Sequence, residues 1–337
     1  MIYPEKLRYK DTIGIVAPSN GIVKESKINA LNKAKENLIK YGFIIDESKE
    51  VRKSIDGVSN NAQYRAEDLM KYIINKDINC IITATGGDFL NEILEYINFE
   101  NILLNAKWIQ GYSDTTALLY ILTTGFDIST IYSHNAVGFG HEEMHESEIN
   151  NIEILKGERI KQYSYNLFES PDEERIIGTE NLNLSIKTCW KTTSNDNKLT
   201  IKGRIIGGCL DCLLNIVGTK FDYTEKFINK YEDEAIIWYF DVFDLTNEDI
   251  LRGLWQLTNA GWFKNTTGII FGRMVNEISY TGISLHEAIN RGVNNNSISI
   301  LTDVDVGHTS PKITFINGAI ATIEYNDGKG SITFDLK

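Results

Sequence analysis

Proline is scarce in this chain, four residues in 337, which excludes long proline-rich spacers. Uninterrupted apolar runs are short as well, and none approaches the roughly 20 residues that a membrane-crossing helix needs. The opening residues, Met1-Ile-Tyr-Pro-Glu-Lys-Leu-Arg-Tyr-Lys, hold no apolar core of a secretory leader, so a cytoplasmic protein with no membrane partner is expected. Cations are in the minority: 34 Lys and Arg face 46 Asp and Glu, a net charge of −12. That balance argues against a nucleic-acid partner, whose phosphates call for clustered Lys and Arg. The negative excess reads as solubility. Cysteine is also sparse, at positions 80, 189, 209 and 212, which fits a reducing compartment. Cys209 and Cys212 form a CxxC, but no second pair lies at zinc spacing, and the surrounding Gly-Gly-Cys-Leu-Asp-Cys-Leu-Leu reads as a helix packing small residues.

What is present is an ordinary globular balance, 42% hydrophobic and 24% charged, on a chain long enough for two domains. The first half alternates short apolar segments with amphipathic ones. Thr12–Pro18 reads as a strand, Lys24–Tyr41 as a helix with Ile28, Leu31, Ala34 and Leu38 on one face, and Arg65–Asn75 as a second helix. Cys80-Ile-Ile-Thr-Ala-Thr and Trp108–Gly111 read as buried strands, each followed by a helical stretch. Such alternation implies βαβ units. From His141 to about Asn197 the periodicity fades. The second half reads as a glycine-rich turn into a helix over Gly203–Val217, then strand Ala235–Val242, helix Asn247–Ala260, strand Thr267–Phe271, helix Ser284–Arg291 and two closing strands. The expected fold is α/β: an N-terminal doubly wound parallel-sheet domain over residues 1–165, a connecting segment over 166–198, and a smaller α+β C-terminal domain over 199–337.

The densest chemical signal is Trp108-Ile-Gln-Gly-Tyr-Ser113-Asp-Thr-Thr-Ala-Leu-Leu. A strand running into Gly111, a sharp turn at Ser113 and an immediate helix would expose a hydroxyl at the carboxyl end of a sheet. The amide of Asp114 would then stand at a helix start, where an oxyanion is stabilised. By itself the segment is equally an ordinary helix cap, since it lacks the second glycine of G-x-S-x-G. Gly86-Gly87, closing an earlier strand, offers further amides that a substrate can approach, or else an ordinary turn. A serine nucleophile needs a base and an orienting acid. Of the five histidines, His308, in Val-Asp-Val-Gly-His-Thr-Ser-Pro, has the most suggestive setting. Asp241, ending Ile-Ile-Trp-Tyr-Phe-Asp, is a candidate to hold it, although a buried Asp at a strand end is more often structural.

Read in order, Gly14-Ile-Val-Ala-Pro-Ser, Arg65-Ala-Glu-Asp-Leu, Thr83-Ala-Thr-Gly-Gly-Asp-Phe-Leu, Gly111-Tyr-Ser-Asp-Thr-Thr-Ala-Leu, Gly203-Arg-Ile-Ile-Gly-Gly, Val217-Gly-Thr, Ile236-Ile-Trp-Tyr-Phe-Asp and Gly307-His-Thr-Ser-Pro resemble the LD-carboxypeptidase/microcin C immunity family of serine peptidases over nearly the whole chain. The resemblance implies a Ser–Glu–His triad shared between two domains, a homodimer, and no metal or organic cofactor. Ser113 matches the nucleophile, His308 the base, and Asp114 with Gly86-Gly87 the oxyanion donors. It also implies a small peptide or aminoacyl-nucleotide substrate, cut at an amide such as the L–D bond to the terminal D-Ala of a murein tetrapeptide. Three positions depart. The family's Glu falls on Asp241, one methylene shorter. The Arg before the paired glycines is Thr85, as in the microcin-immunity branch, and the usual Gly-Gly-Asn reads Gly207-Gly208-Cys209. Trp190 is expected either over the substrate cleft or as an anchor of the connecting segment.

Two rivals remain. His141-Glu-Glu-Met-His145 matches H-E-x-x-H literally, and on a helix it would place two imidazoles one turn apart for zinc. Its charged neighbours Glu143 and Glu146 fit a solvated loop better than a buried zinc helix. The other rival is a binding protein that kept the fold and lost activity through the Asp241 departure.

Overall fold

The computed structural model describes residues 1–158, 161–194 and 196–336. The first sheet is built from β1 (Thr12–Val16), β2 (Ile44–Glu47), β3 (Cys80–Thr83), β4 (Trp108–Gly111) and β5 (Thr130–Tyr132), all parallel, in the order β5-β4-β3-β1-β2. β3 and β4 are buried at every position, because helices cover both faces and leave no water-facing side for polar residues. The covering helices include Glu25–Lys40, Ala62–Ile74 and Thr116–Phe126. The order reverses direction around β1 and β3. In such sheets ligands bind beyond the carboxyl ends of the strands near that reversal.

The chain then supplies short strands β6 (Gln162–Tyr163), β7 (Leu167–Glu169), β8 (Leu184–Lys187) and β9 (Lys191–Thr192). The strands β10 (Lys198–Cys209), β11 (Ile236–Asp241), β12 (Thr266–Gly272) and β13 (Ser299–Val304) follow. The last three are β14 (Phe315–Asn317), β15 (Ile320–Asn326) and β16 (Lys329–Asp335). Among the described residues the second sheet has eight strands, ordered β6-β16-β15-β10-β11-β12-β13-β9, with a parallel centre from β10 to β13 and antiparallel flanks. β7 and β8 form a separate ribbon.

Three features differ from the sequence reading. Gly203–Cys209 is the second half of a twelve-residue strand, not a turn. Its glycines let neighbouring backbone come close: a Cβ on Gly203 or Gly207 would overlap the carbonyl oxygens of Ala235 or Tyr239. The faded stretch after His141 contains helix Glu146–Leu155, started by a capping box between His145 and Glu148. The boundaries at 165 and 198 are crossed in both directions. β6 and β9 already pair with the second sheet, while β14 returns to pair antiparallel with β5 in the first. Open sheet edges need backbone partners, and these segments supply them. No helix among the described residues is long and apolar enough to cross a membrane.

Candidate active site

Ser113 lies two residues beyond the end of β4, after Tyr112, and begins a short 3-10 turn that leads into helix Thr116–Phe126. Its φ of 62° lies in the left-handed region, which a non-glycine residue occupies at a cost and which here lifts the hydroxyl out of the strand. The turn is held on both sides. Asn135 Oδ1 accepts the Tyr112 amide (3.1 Å) and the Thr83 hydroxyl (2.7 Å), and the Ser113 amide donates to the Tyr132 hydroxyl (3.3 Å). Below it, the buried Asp114 carboxylate accepts from the Ser19 hydroxyl and from the Leu90 amide (2.8 Å). Burial raises the Asp114 pKa above the usual carboxylate value, and those two donors pull against the rise. The buried Arg65 ties the same rim together by donating to the carbonyls of Pro18 (2.9 Å) and Phe89 (3.0 Å).

Gly86 lies directly against Ser113: a Cβ there would stand 3.1 Å from Ser113 Oγ and 3.8 Å from the Asp114 amide nitrogen. Gly87 packs on Ser19 and Asn20 instead. The Asp114 N–H sits in the first turn of a helix, where no preceding carbonyl is placed to accept it. Ser113, Gly86 and Asp114 therefore converge on one spot.

His308 arrives from the other sheet, on the loop after β13. Its Nε2 stands 3.1 Å from Ser113 Oγ. Its Nδ1 is 2.8 Å from Asp241 Oδ2, but the ring N–H points off that axis, so the contact is not an aligned hydrogen bond. Asp241 ends β11, fully buried. Its Oδ1 accepts the His308 backbone amide (3.2 Å) and its Oδ2 the Tyr132 hydroxyl (2.6 Å). Burial pushes the Asp241 carboxyl up, but the His308 ring, the Tyr132 hydroxyl and the Lys312 ammonium outweigh it, and the net shift is downward. The shorter side chain is accommodated at Gly307, whose φ is +105°. Any Cβ there would overlap the Asp241 carboxylate.

The imidazole is flanked by Tyr112 (5.1 Å between centroids) and the half-exposed Phe243 (4.5 Å). Lys312 Nζ lies 3.7 Å from the centroid of the Tyr112 ring. Burial lowers the Lys312 pKa to about 8 against the opposing pull of Asp241. The His308 loop is anchored by the buried Arg273, which pairs with Asp305 and donates to Thr309 Oγ1 (2.8 Å) and the Pro311 carbonyl (2.7 Å).

Sequence reasoning missed Tyr132, Asn135 and Lys312. Tyr132 ends β5 and Asn135 follows it, where the sheet order directs attention, but nothing local marks them. Trp190 does not stand over the cleft. Its ring is fully buried and its Nε1 donates to Asp305 Oδ2 (2.7 Å), the anchoring alternative. The zinc arrangement of His141 and His145 does not form either. Residues 141–145 are not helical, His145 Nδ1 caps the following helix by accepting from the Ser147 amide (3.1 Å), and His141 Nδ1 pairs with Glu148 at 2.8 Å. Among the described residues no group of three or more His, Cys, Asp or Glu is placed to hold a metal ion.

Fold and site together define a two-domain α/β protein in which a serine and the glycine beside it come from one sheet, and a histidine and the aspartate beside it from the other. The chain matches the LD-carboxypeptidase N-terminal domain over residues 13–133 and the LD-carboxypeptidase C-terminal domain over residues 202–323, and it belongs to that family. It is 27% identical over 328 residues to the microcin C7 self-immunity protein MccF of Escherichia coli, covering 96% of this chain and 93% of MccF. Its fold matches the crystal structure of an MccF-like protein from Bacillus anthracis over 100% of both chains, with a TM-score of 0.83 at 24% identity. It also matches MccF solved with aspartyl sulfamoyl adenosine, with a TM-score of 0.80 at 24% identity, over 99% of this chain and 98% of that one.

Proposed function

We propose that this protein is a serine hydrolase that cleaves an amide bond in a small polar substrate. Two substrates fit the reading: the L–D bond to the terminal D-Ala of a murein tetrapeptide, and an aminoacyl-nucleotide of the microcin C type. The observation that carries the reading is the continuous path Ser113 Oγ–His308–Asp241, assembled from two sheets around a serine held at positive φ. In this mechanism Ser113 Oγ attacks the carbonyl carbon while His308 Nε2 takes its proton, and Asp241 stabilises the imidazolium. The amides of Asp114 and of the Gly86-Gly87 turn receive the oxyanion. His308 then gives the proton to the leaving amine, and water, activated by the same imidazole, releases the acyl group. The family membership supports the first substrate, and the likeness to MccF, solved with aspartyl sulfamoyl adenosine, supports the second. A cytoplasmic location and a homodimer belong to the same proposal.

The test is turnover of a murein tetrapeptide and of an aminoacyl sulfamoyl nucleotide or its amide analogue by wild type and Ser113→Ala, each with and without a chelator. Loss on Ser113→Ala with no chelator effect is the expected result. Turnover that survives the substitution would overturn the serine mechanism. The off-axis His308–Asp241 contact favours a second reading, a weakened homologue that binds without turning over. Saturable binding of the nucleotide with no product from either substrate would select it.

A further inference from the structure

Cys209-Leu-Asp-Cys212 takes no part in the proposed reaction, yet it touches the candidate site at three points. Cys209 ends β10 at the N-cap of helix Leu210–Leu213, and Cys212 lies one turn on. The spacing puts both side chains on one side of the backbone, and the neighbouring Cys212 together with burial pushes the Cys209 thiol well above the ordinary thiol range. Cys212 Sγ lies 3.6 Å from the carbonyl oxygen of Ser113. The Cys209 amide donates to Thr116 Oγ1 (2.9 Å), in the first turn of the helix behind the nucleophile. Between them, the Asp211 carboxylate accepts the amides of Phe243 (3.1 Å) and Asp244 (2.9 Å), and Phe243 is the ring that lies against His308. Cys209 Sγ is itself 3.5 Å from Asp211 Oδ2. Cys209 is buried, and Cys212 is partly open to solvent, so a reagent would arrive at Cys212.

We propose that Cys209 and Cys212 are a redox modification site, forming a reversible intramolecular disulfide that lowers the reactivity of Ser113. The coupling to Ser113 rests on the serine-hydrolase reading above; the disulfide does not. The oxidant is a low-molecular-weight disulfide, RSSR. The Cys212 thiolate attacks one sulfur of RSSR and expels RS⁻, giving a mixed disulfide. The Cys209 thiolate then attacks Cys212 Sγ and expels the second RS⁻. The two protein protons end on the two thiolates, so two protein thiols and RSSR become one protein disulfide and two RSH. Forming the S–S bond removes the thiol contact with the Ser113 carbonyl and the Cys209 contact with Asp211. It thereby shifts both the turn that sets the nucleophile and the carboxylate that holds the Phe243 loop.

The experiment incubates the full chain with glutathione disulfide, alkylates residual thiols, and locates the product by digestion and mass spectrometry. In parallel it measures the rate at which a fluorophosphonate labels Ser113. The expected product is a disulfide within the peptide carrying both cysteines, with labelling slowed on the order of tenfold or more, since small displacements of a nucleophile are costly, and restored by dithiothreitol. Cys209→Ser and Cys212→Ser should each keep their own reduced rate after the same treatment. Cys189→Ser, which removes the exposed thiol, should respond like wild type. Two free thiols after equilibration with excess glutathione disulfide would overturn the proposal, as would a formed disulfide with unchanged labelling. Reduced protein that fails to label at all would sink the hydrolase reading and the coupling with it, while the mass measurement still decides whether the disulfide forms.

Discussion

At Asp241 one carboxylate serves three groups: the His308 ring, the His308 amide and the Tyr132 hydroxyl. Replacing it with Asn keeps the volume but removes the charge that favours the imidazolium and can present the wrong hydrogen to Nδ1. We expect kcat to fall by about 10²–10⁴ with the fold intact by circular dichroism. Tyr132→Phe removes one donor to that carboxylate and the acceptor of the Ser113 amide, so a loss of about 1–2 kcal/mol in transition-state stabilisation, roughly five- to thirtyfold in kcat/KM, is expected. Lys312 makes a prediction about pH. Its folded value of about 8 lies below the ordinary 10.5. Between those limits the unfolded chain therefore binds more protons than the folded one, and stability rises with pH. Lys312→Met lacks this contribution. The variant should exceed wild type in urea stability by up to about 3 kcal/mol at pH 7, with the gap narrowing toward pH 10. A gap that stays constant from pH 7 to pH 10 would refute the assignment.

Among the elements, the segment from β13 to β14 decides where the histidine stands. Asp305 is held by Arg273 and Trp190, Thr309 and Pro311 by the other side of the same guanidinium, and Gly307 passes so close to Asp241 that no side chain fits. Gly307→Ala should therefore abolish labelling of Ser113 and destabilise the fold by about 2 kcal/mol or more, combining an unfavourable φ with a clash. Gly261 is the matched comparison: its φ is +81°, but a Cβ there meets nothing within 4 Å. Gly261→Ala should cost only about 1 kcal/mol, the conformational part alone, and leave labelling unchanged. Equal losses for the two variants would show that the approach to Asp241 does not matter. On the opposite side of the cleft, β4 and the helix after it present Ser113 as a strand–turn–helix unit, fixed laterally by Asn135 and from below by Asp114.

For the whole molecule, the two sheets are not independent. β14 leaves the second half of the chain to complete the first sheet, and Asn317 at its end accepts from the Tyr239 hydroxyl through Oδ1 (2.8 Å) and from the Ser129 hydroxyl through its carbonyl (2.7 Å). Arg204 in β10 reaches the Gly318 carbonyl and Tyr3. Tyr120, from the helix that follows Ser113, stacks on Trp262 of the other half with centroids 5.2 Å apart. These shared contacts predict one cooperative unfolding transition, with calorimetric and van't Hoff enthalpies equal. Two resolved peaks would show that the halves unfold separately.

Much of the candidate site was legible because its residues sit where local patterns change. Ser113 falls where a buried run meets a helix, Gly86-Gly87 where another such run stops, Asp241 at the end of a third, and His308 beside a glycine. The parallel character of the first sheet was legible for a similar reason: buried strands read as continuous apolar runs and the helices between them as amphipathic ones. β10 was misread because its glycines answer to neighbouring backbone rather than to a turn, and helix Glu146–Leu155 was missed because its moment is weak and its cap is a histidine. The sequence by itself determined the alternating architecture and the kinds of residue available for chemistry, since both depend on interactions within a few positions of the chain. Only the tertiary structure decided that Ser113 and His308, 195 positions apart, meet at 3.1 Å, that Tyr132 and Lys312 share Asp241 with them, and that Trp190 is an anchor. Those outcomes depend on how two sheets pack, and packing joins residues whose separation along the chain carries no local signature.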